Sequence, residues 1–474
     1  MKPEVEIKFA CTPETLEVLA GRLFTGAARD RRLVSVYFDT PEGDLAARQV
    51  SLRLRTDGTG RTIQTLKTGE GLGRHEAEGE TAPGRLDLAA VAAGSGLGPG
   101  DLERLAPRFT VQVRRRAFEV VRGGSRIELA LDQGEILAGG AREPVCEAEL
   151  ELLSGETGDL FALTLDLAGD LPLSLSLKSK SDRGARLAAG GGPDDARIPA
   201  LPPGLDCGEA LRLALLAALS GTCDRALEAA ADPTPRAVHR LRVALRRHRS
   251  LLTVFRRRFD PSETTAVRRG LQALARACAP ARELDVLVAA ADPAGALCAE
   301  LIAARGAAAD GLVLALGAAP ARRVLLESLV LAEAGEWRAT GDNAAPAVGL
   351  GEDLGRRWRR ICRLGAAIDG LDAGERHELR LRIKSLRYAL DSLALPGWTD
   401  LRAGLVPALR AAQDALGAEN DGEAAKARLA GLDLSRTAQR EADRLAASLR
   451  RRGARARAAR AVRRLVETPA PGLT

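Results

Sequence analysis

The sequence predicts an α+β protein in two parts, strands first and then an all-α half. Three observations predict it. Up to about Ser181, charged and apolar residues alternate with period two. Residues 188–206 are rich in Gly, Pro and Ala. Beyond them Ala, Leu and Arg recur with a 3.6-residue period while β-branched residues thin out. A chain of 474 residues is long enough for two or three domains with separate cores. The expected boundaries are a first domain at 1–187, a linker at 188–206 and a helical domain at 207–468.

The first strand sets the pattern for the others. In Glu4-Val5-Glu6-Ile7-Lys8 the charged residues share one face, and Val5, Ile7 and Phe9 share the other. Arg53 and Arg55 alternate with Leu52 and Leu54, and Arg114 and Arg116 flank Arg115 beyond Val111 and Val113. Glu128, Ala130 and Asp132 alternate with Ile127, Leu129 and Leu131, and Glu147, Glu149 and Glu151 with Leu150 and Leu152. Lys178 and Lys180 close the series after Leu173, Leu175 and Leu177. A sheet curled with these faces inward would enclose a polar tunnel with cationic and anionic walls. Two helices are expected in this half, over 12–24 and 155–168, the first opening Thr12-Pro13-Glu14 like an N-cap followed by proline. Residues 82–106 interrupt the pattern with little strand character.

Charge is divided unevenly. Residues 1–206 carry 26 Lys+Arg against 32 Asp+Glu, and residues 207–474 carry 44 against 31, so −6 and +13 make the overall +7. The second half suits a polyanion, and the acids of the first half call for metal or substrate. Seven scattered cysteines with no C-x-x-C pair point to reduced thiols in a cytoplasm. A charged N-terminus and the lack of an apolar run of about 18 residues argue against a secretory signal and a membrane span.

The helical half contains a repeat. His239, Arg242, Arg246 and Arg249 have the same spacing as His377, Arg380, Lys384 and Arg387. At about 100° per residue each set spans roughly an 80° arc, so each copy is a single cationic helix face. This predicts two helical bundles, at about 207–335 and 345–468, related by a pseudo-twofold axis. Like charges at such spacing repel unless an anion covers them, and arginine forks match phosphate oxygens. Aromatic residues are 3% of the chain and no nucleic-acid motif is present, which argues against nucleic acid and for a linear phosphate chain.

In the strand half, Glu4, Glu6, Asp132, Glu147 and Glu149 suit a hard cation such as Mg²⁺ or Mn²⁺. Lys8, Arg53, Arg55, Lys67, Arg114, Arg116, Lys178 and Arg183 could neutralise several phosphates. Metal-assisted hydrolysis of a phosphoanhydride would follow. There is no P-loop.

These residues resemble the CYTH superfamily, the triphosphate tunnel metalloenzymes. Glu4-x-Glu6-x-Lys8 is followed in order by Tyr37-Phe38-Asp39-Thr40, Leu52-Arg53-Leu54-Arg55, Thr65-Leu66-Lys67, Arg74-x-Glu76-x-Glu78, Arg114-x-Arg116, Glu128-x-Ala130-x-Asp132, Glu147-x-Glu149-x-Glu151 and Lys180-Ser181-Asp182-Arg183-Gly184. His239-x-x-Arg242-Val243-x-x-Arg246-Arg247, and His377-x-x-Arg380 with Lys384-x-x-Arg387-Tyr388, resemble the CHAD domain, an α-helical domain associated with inorganic polyphosphate. The resemblance implies an eight-stranded antiparallel barrel around the tunnel. It implies divalent metal on Glu4, Glu6, Asp132, Glu147 and Glu149, with either Glu76 or Glu78 as a further tunnel acid. Catalysis would rest on Glu4, Glu6, Lys8 and Lys67. The expected activity is hydrolysis of inorganic tripolyphosphate, with polyphosphate held by the helical domain; the alternative is a weakly catalytic or non-catalytic polyphosphate scaffold.

Overall fold

In the computed structural model, the described residues are 4–22, 28–69, 73–191, 204–340, 345–393, 398–419, 421–449, 453–470 and 472–473. The chain divides into two compact units, Met1–Asp195 and Ala196–Thr474. The expected linker falls largely outside the described residues.

The first unit runs β1 (Glu4–Ala10), α1 (Pro13–Arg22), β2 (Arg29–Asp39), α2 (Asp44–Ala47), β3 (Val50–Asp57), β4 (Thr62–Thr68), β5 (Gly73–Thr81), α3 (Leu88–Ser95), α4 (Pro99–Leu102), β6 (Ala106–Arg122), β7 (Ser125–Ala138), β8 (Ala141–Ser154), α5 (Thr157–Asp170), β9 (Ser174–Ser176) and α6 (Lys180–Ala188). The strands form one sheet in the order β5-β4-β3-β2-β6-β7-β8-β1-β9. The second edge of β1 is divided. Lys8 to Ala10 pair with β9, and Glu4 and Val5 pair with Arg74 and Gly73 of β5. The expected closed eight-stranded barrel is therefore corrected to a nine-stranded antiparallel sheet whose far edge returns to β1 over a two-residue seam. Residues 82–106, read as an interruption, hold the short helices α3 and α4.

Alternation fixes which side of each strand meets apolar surface. Ile7 and Phe9 of β1, Leu52 of β3, and Ile127 and Leu129 of β7 are fully buried. Each such side chain contributes roughly 1.5–3 kcal/mol on burial. Leu52 and Leu66 pack with Leu45, Val91 and Leu97 against the α2 and α3 side, and α1 and α5 lie against β7 and β8. The inner surface differs at one end. There Phe109, Val111, Val113, Ile136 and Val145 form an apolar patch on which Ala185, Leu187 and Ala188 of α6 rest. Gly184 makes this possible, because a Cβ at that position would lie 2.1 Å from the Phe109 ring. That ring in turn stacks on Tyr37 at 4.6 Å.

The second unit is helical: α7 (Cys207–Ala231), α8 (Pro235–Val254), a 3₁₀ turn (Arg256–Arg258), α9 (Pro261–Ala277), α10 (Ala279–Ala290), α11 (Ala296–Gly317), α12 (Ala319–Ala334), a second 3₁₀ turn (Glu336–Thr340), α13 (Pro346–Ala366), α14 (Ala373–Ser392), α15 (Thr399–Ala418), α16 (Asp421–Ala430), α17 (Arg436–Leu449) and α18 (Ala454–Val466). Side chains of Asp206, Thr234 and Asp372 cap α7, α8 and α14, satisfying backbone donors that the helix itself cannot. His239 and His377 each stand fifth in their helix, α8 and α14. A shared core joins Leu284, Leu297 and Leu301 of α10 and α11 to Leu429, Ala438 and Ala442 of α16 and α17. Among the described residues no single helix is long and apolar enough to cross a membrane.

Candidate active site

The sheet encloses a cavity of about 260 Å³. Its cationic lining is Lys8, Arg53, Arg55, Lys67, Arg115 and Lys180, and its acidic lining is Glu6, Glu76, Glu78, Glu128, Glu149 and Glu151. A neighbouring cavity of about 160 Å³ shares Arg55, Arg115 and Glu128 with it. The strand alternation read from β1, β3, β4 and β8 thus places Glu6, Lys8, Arg53, Arg55, Lys67 and Glu149 in one lumen. Glu4 belongs to β1 by its backbone, and its side chain lies outside the described residues.

The alternation fails on β6. Arg114 and Arg116, expected to bind substrate, point out of the lumen to Asp30 (3.0 Å) and Glu17 (2.8 Å). Arg115 points in. On this strand the inner face is the apolar one, continuing from Val111 and Val113 at the α6 end, so apolar residues no longer mark the outside. The register carried the missing signal. Arg115 stands directly opposite Asp132, and directly opposed residues share a face.

Lys180 is the second residue the sequence reading left out. Lys178 and Lys180 read as strand residues, but β9 ends at Ser176 and Lys180 begins α6. Ser179 and Asp182 form a capping box, each side chain accepting from the other's backbone N–H. This start swings Lys180 into the acids: its Nζ lies 2.8 Å from Asp132, 2.7 Å from Glu147 and 2.8 Å from Glu149. Lys178 is half-buried and is not part of the cavity lining. Arg183 ties α6 to β8 through Glu143 at 2.7 Å, the Pro144 carbonyl at 2.6 Å and Glu147. It is a clamp and does not line the cavity.

The buried charges settle each other. Burial opposes ionisation of Asp132 and Glu149, but Lys180 and Arg115 outweigh it and hold both below the usual carboxylate range. Burial likewise disfavours charge on Lys180 and Arg115, and these acids hold both cations above their ordinary values. Arg55 is different. Burial and the adjacent Arg53 lower it despite Glu78 at 3.4 Å, so this cation lacks negative charge.

Glu6, Glu128 and Glu151 form a row of acids in the lumen, in which Lys8 pairs with Glu6 at 2.6 Å and Arg29 with Glu128. Glu6 opposes Glu151 across β1 and β8, and Glu151 opposes Glu128 across β8 and β7. Like charges directly opposite each other on adjacent strands are destabilising unless a cation lies among them. The donors are all oxygen, as Mg²⁺ and Mn²⁺ prefer. In their present rotamers, no three His, Cys, Asp or Glu side chains among the described residues close on one point. Asp132 and Glu147, expected as ligands, lie outside the lining and are already compensated by Arg115, Lys180 and Arg183.

In the helical unit, α8 and α14 pack together and bring the two basic faces into electrostatic contact. Burial first, then Arg246, Arg380, Arg242 and Arg387, push the Lys384 ammonium from 10.5 down to about 7. Burial, Arg282, Arg246 and Arg242 lower His239 as well. Arg282, on α10, is an addition to the expected set. Arg242 and Arg249 are lowered by burial and by Arg246. Gly417 of α15 leaves room for Arg380, whose guanidinium nitrogen would lie 3.1 Å from a Cβ there. His377 is exposed. Two expected members differ. Arg387 is buried, bonded to Asp391 at 2.8 Å and Gln413 at 3.1 Å, and stacked 4.0 Å over Tyr388. Arg247 lies roughly 100° around α8 from Arg246.

Residues 2–185 match the family model for the CYTH domain, and residues 213–430 match that for the CHAD domain. An inorganic triphosphatase of Haemophilus influenzae is 31% identical over 198 residues, covering 40% of this chain and 56% of the relative. The chain thus spans little more than half the length of that relative. Among solved structures, the CHAD domain from the plant Ricinus communis is 22% identical, covering 58% of this chain and 96% of that one, with a TM-score of 0.49. A Hippeastrum protein described as having a dominant triphosphatase activity is 19% identical, covering 41% and 99%, with a TM-score of 0.32.

Proposed function

This chain joins a CYTH domain at residues 2–185 to a CHAD domain at residues 213–430, and from that premise we propose that it hydrolyses inorganic tripolyphosphate in the sheet's lumen and binds polyphosphate on the α8/α14 face. The carrying observation is the charge balance of the lumen. Six cationic and six acidic side chains line it, so a ligand with roughly four negative charges near neutral pH needs accompanying cations to enter. The similarity to a triphosphatase of Haemophilus influenzae supports the same substrate class.

The residues divide the work by wall. Arg53, Arg55 and Lys67 on β3 and β4 would grip the phosphate oxygens, with Arg55 gaining most from the anion. Lys8, bonded to Glu6 at 2.6 Å, would exchange that carboxylate for phosphate. Arg115 and Lys180, each held by buried acids, would present fixed N–H donors that need no rearrangement as charge develops. Glu6, Glu128 and Glu151 would hold a divalent cation, which when bound screens the phosphates and lowers the pKa of a nearby water.

On the helical face, a polyphosphate chain would relieve the repulsion that lowers Lys384, Arg242 and Arg249. The scaffold reading has one observation in its favour: three of the acids expected to bind metal are occupied by Lys180. Phosphate release from tripolyphosphate, ATP and long-chain polyphosphate, each with Mg²⁺ or Mn²⁺ and with EDTA, separates the two. Metal-dependent release from tripolyphosphate supports the enzyme, and no release from any of the three leaves the scaffold. Charge reversal at Arg242 together with Arg380 should abolish polyphosphate binding and spare hydrolysis; unchanged binding at equal salt would move the polyphosphate site elsewhere.

A further inference from the structure

We propose that Arg357, with Arg382 and Arg256, forms a second anion site in the helical unit that takes a phosphate dianion. Arg357 lies on α13 and donates to the Ser385 hydroxyl at 2.7 Å, while that hydroxyl donates onward to the Arg382 carbonyl at 3.0 Å. Its Nε is buried and has no hydrogen-bond acceptor. Its neighbours are treated differently. Arg258 bonds Asp353 at 2.6 Å and the Gly349 carbonyl at 2.6 Å, Arg356 also bonds Asp353, and Arg382 bonds Glu378 at 2.9 Å. Among the described residues no carboxylate pairs with Arg357.

Three features indicate what is missing. A buried guanidinium donor without an acceptor is destabilising, so the arrangement favours an added oxygen ligand. Burial, Arg382 and Arg256 together lower Arg357 from 12.5 to about 10, and no acid offsets them. The second and third of these are guanidiniums, whose forks match a tetrahedral oxyanion with several free oxygens.

The site is separate from the α8/α14 face: at about 100° per residue, Arg382 and Ser385 lie on the side of α14 opposite Arg380, Lys384 and Arg387. It stands or falls independently of the polyphosphate face and of hydrolysis.

The test is calorimetric titration of the full chain with inorganic phosphate, and separately with tripolyphosphate in EDTA, at fixed ionic strength. The parent should take up one more equivalent than Arg357→Gln, and Arg256→Gln, at an exposed position, should weaken that equivalent at least tenfold. Tighter binding of tripolyphosphate than of phosphate at this site would identify the end of a chain as the ligand; equal or tighter phosphate would identify the free ion. Equal stoichiometry and affinity in the parent and both variants would overturn the site. So would an Arg357→Leu variant that melts higher than the parent and still binds the additional phosphate, since the arginine would then be neither ligand nor support.

Discussion

Arg115 and Asp132 face each other across β6 and β7, and the guanidinium meets both carboxylate oxygens, at 2.7 and 2.6 Å. Asp132 is wholly buried, so the pair cannot be exchanged for water. Removing one partner of a buried pair leaves the other charge stranded and typically costs about 3–5 kcal/mol. Arg115→Ala should therefore shift the denaturant midpoint strongly and abolish tripolyphosphate turnover. Arg114→Ala and Arg116→Ala should leave both the midpoint and KM close to the parent, because their partners Asp30 and Glu17 sit at the surface. A loss of turnover in Arg114→Ala or Arg116→Ala as complete as in Arg115→Ala would contradict the assigned faces.

That inversion marks where the sequence was legible. Glu6, Lys8, Arg53, Arg55, Lys67 and Glu149 could be read from alternation because apolar surface covers the outer side of their strands. On β6 the apolar run Phe109, Val111 and Val113 faces α6 inside the sheet, and parity alone cannot tell an inner plug from an outer core. The Ser179–Asp182 capping box was visible in the sequence and would have ended the strand before Lys180. The basic faces of α8 and α14 were legible from four residues on each helix. Arg387 was less so: its ion pair with Asp391 is one turn away on the same helix, but its burial and its hydrogen bond to Gln413 on α15 depend on tertiary packing. Arg357 carries no pattern in the sequence, since its missing acceptor emerges only from the packing of the helices.

The carboxylate row and the buried triad make opposite demands on a metal titration. Glu151→Gln and Glu128→Gln should each weaken Mn²⁺ binding at least tenfold, followed as loss of the free-ion signal in electron paramagnetic resonance. Glu147→Gln should retain Mn²⁺ binding and lower the melting temperature instead, since Lys180 and Arg183 lose a shared partner. Loss of Mn²⁺ by Glu147→Gln with retention by Glu151→Gln would restore the triad as the metal site.

A chain ending near Gly190 should fold and hydrolyse tripolyphosphate alone. The strand unit is compact by itself, and α6, which supplies Lys180, ends at Ala188. Circular dichroism and phosphate release on the fragment check this. An insoluble or inactive fragment, under conditions where the full chain works, would mean that the helical half completes the lumen.

Lys384 should make polyphosphate binding proton-linked. Its ammonium is lowered from 10.5 to about 7 by burial and by Arg246, Arg380, Arg242 and Arg387. Between those two values the unfolded chain holds more protons at this position than the folded chain. Its contribution to stability therefore rises with pH across the window and is at its least favourable below about pH 7. A polyanion laid over the face reverses the shift, because negative charge favours the ammonium. At pH 8 binding should take up a proton, and affinity should fall as pH rises further. Calorimetry in buffers of different ionisation enthalpy reads that uptake directly. Lys384→Met should remove most of the proton uptake while Arg242, Arg246 and Arg380 still bind, so a residual salt-dependent affinity should remain. Undiminished uptake in Lys384→Met would assign the proton to another group, with His239, lowered by burial and by Arg282, Arg246 and Arg242, the next to substitute.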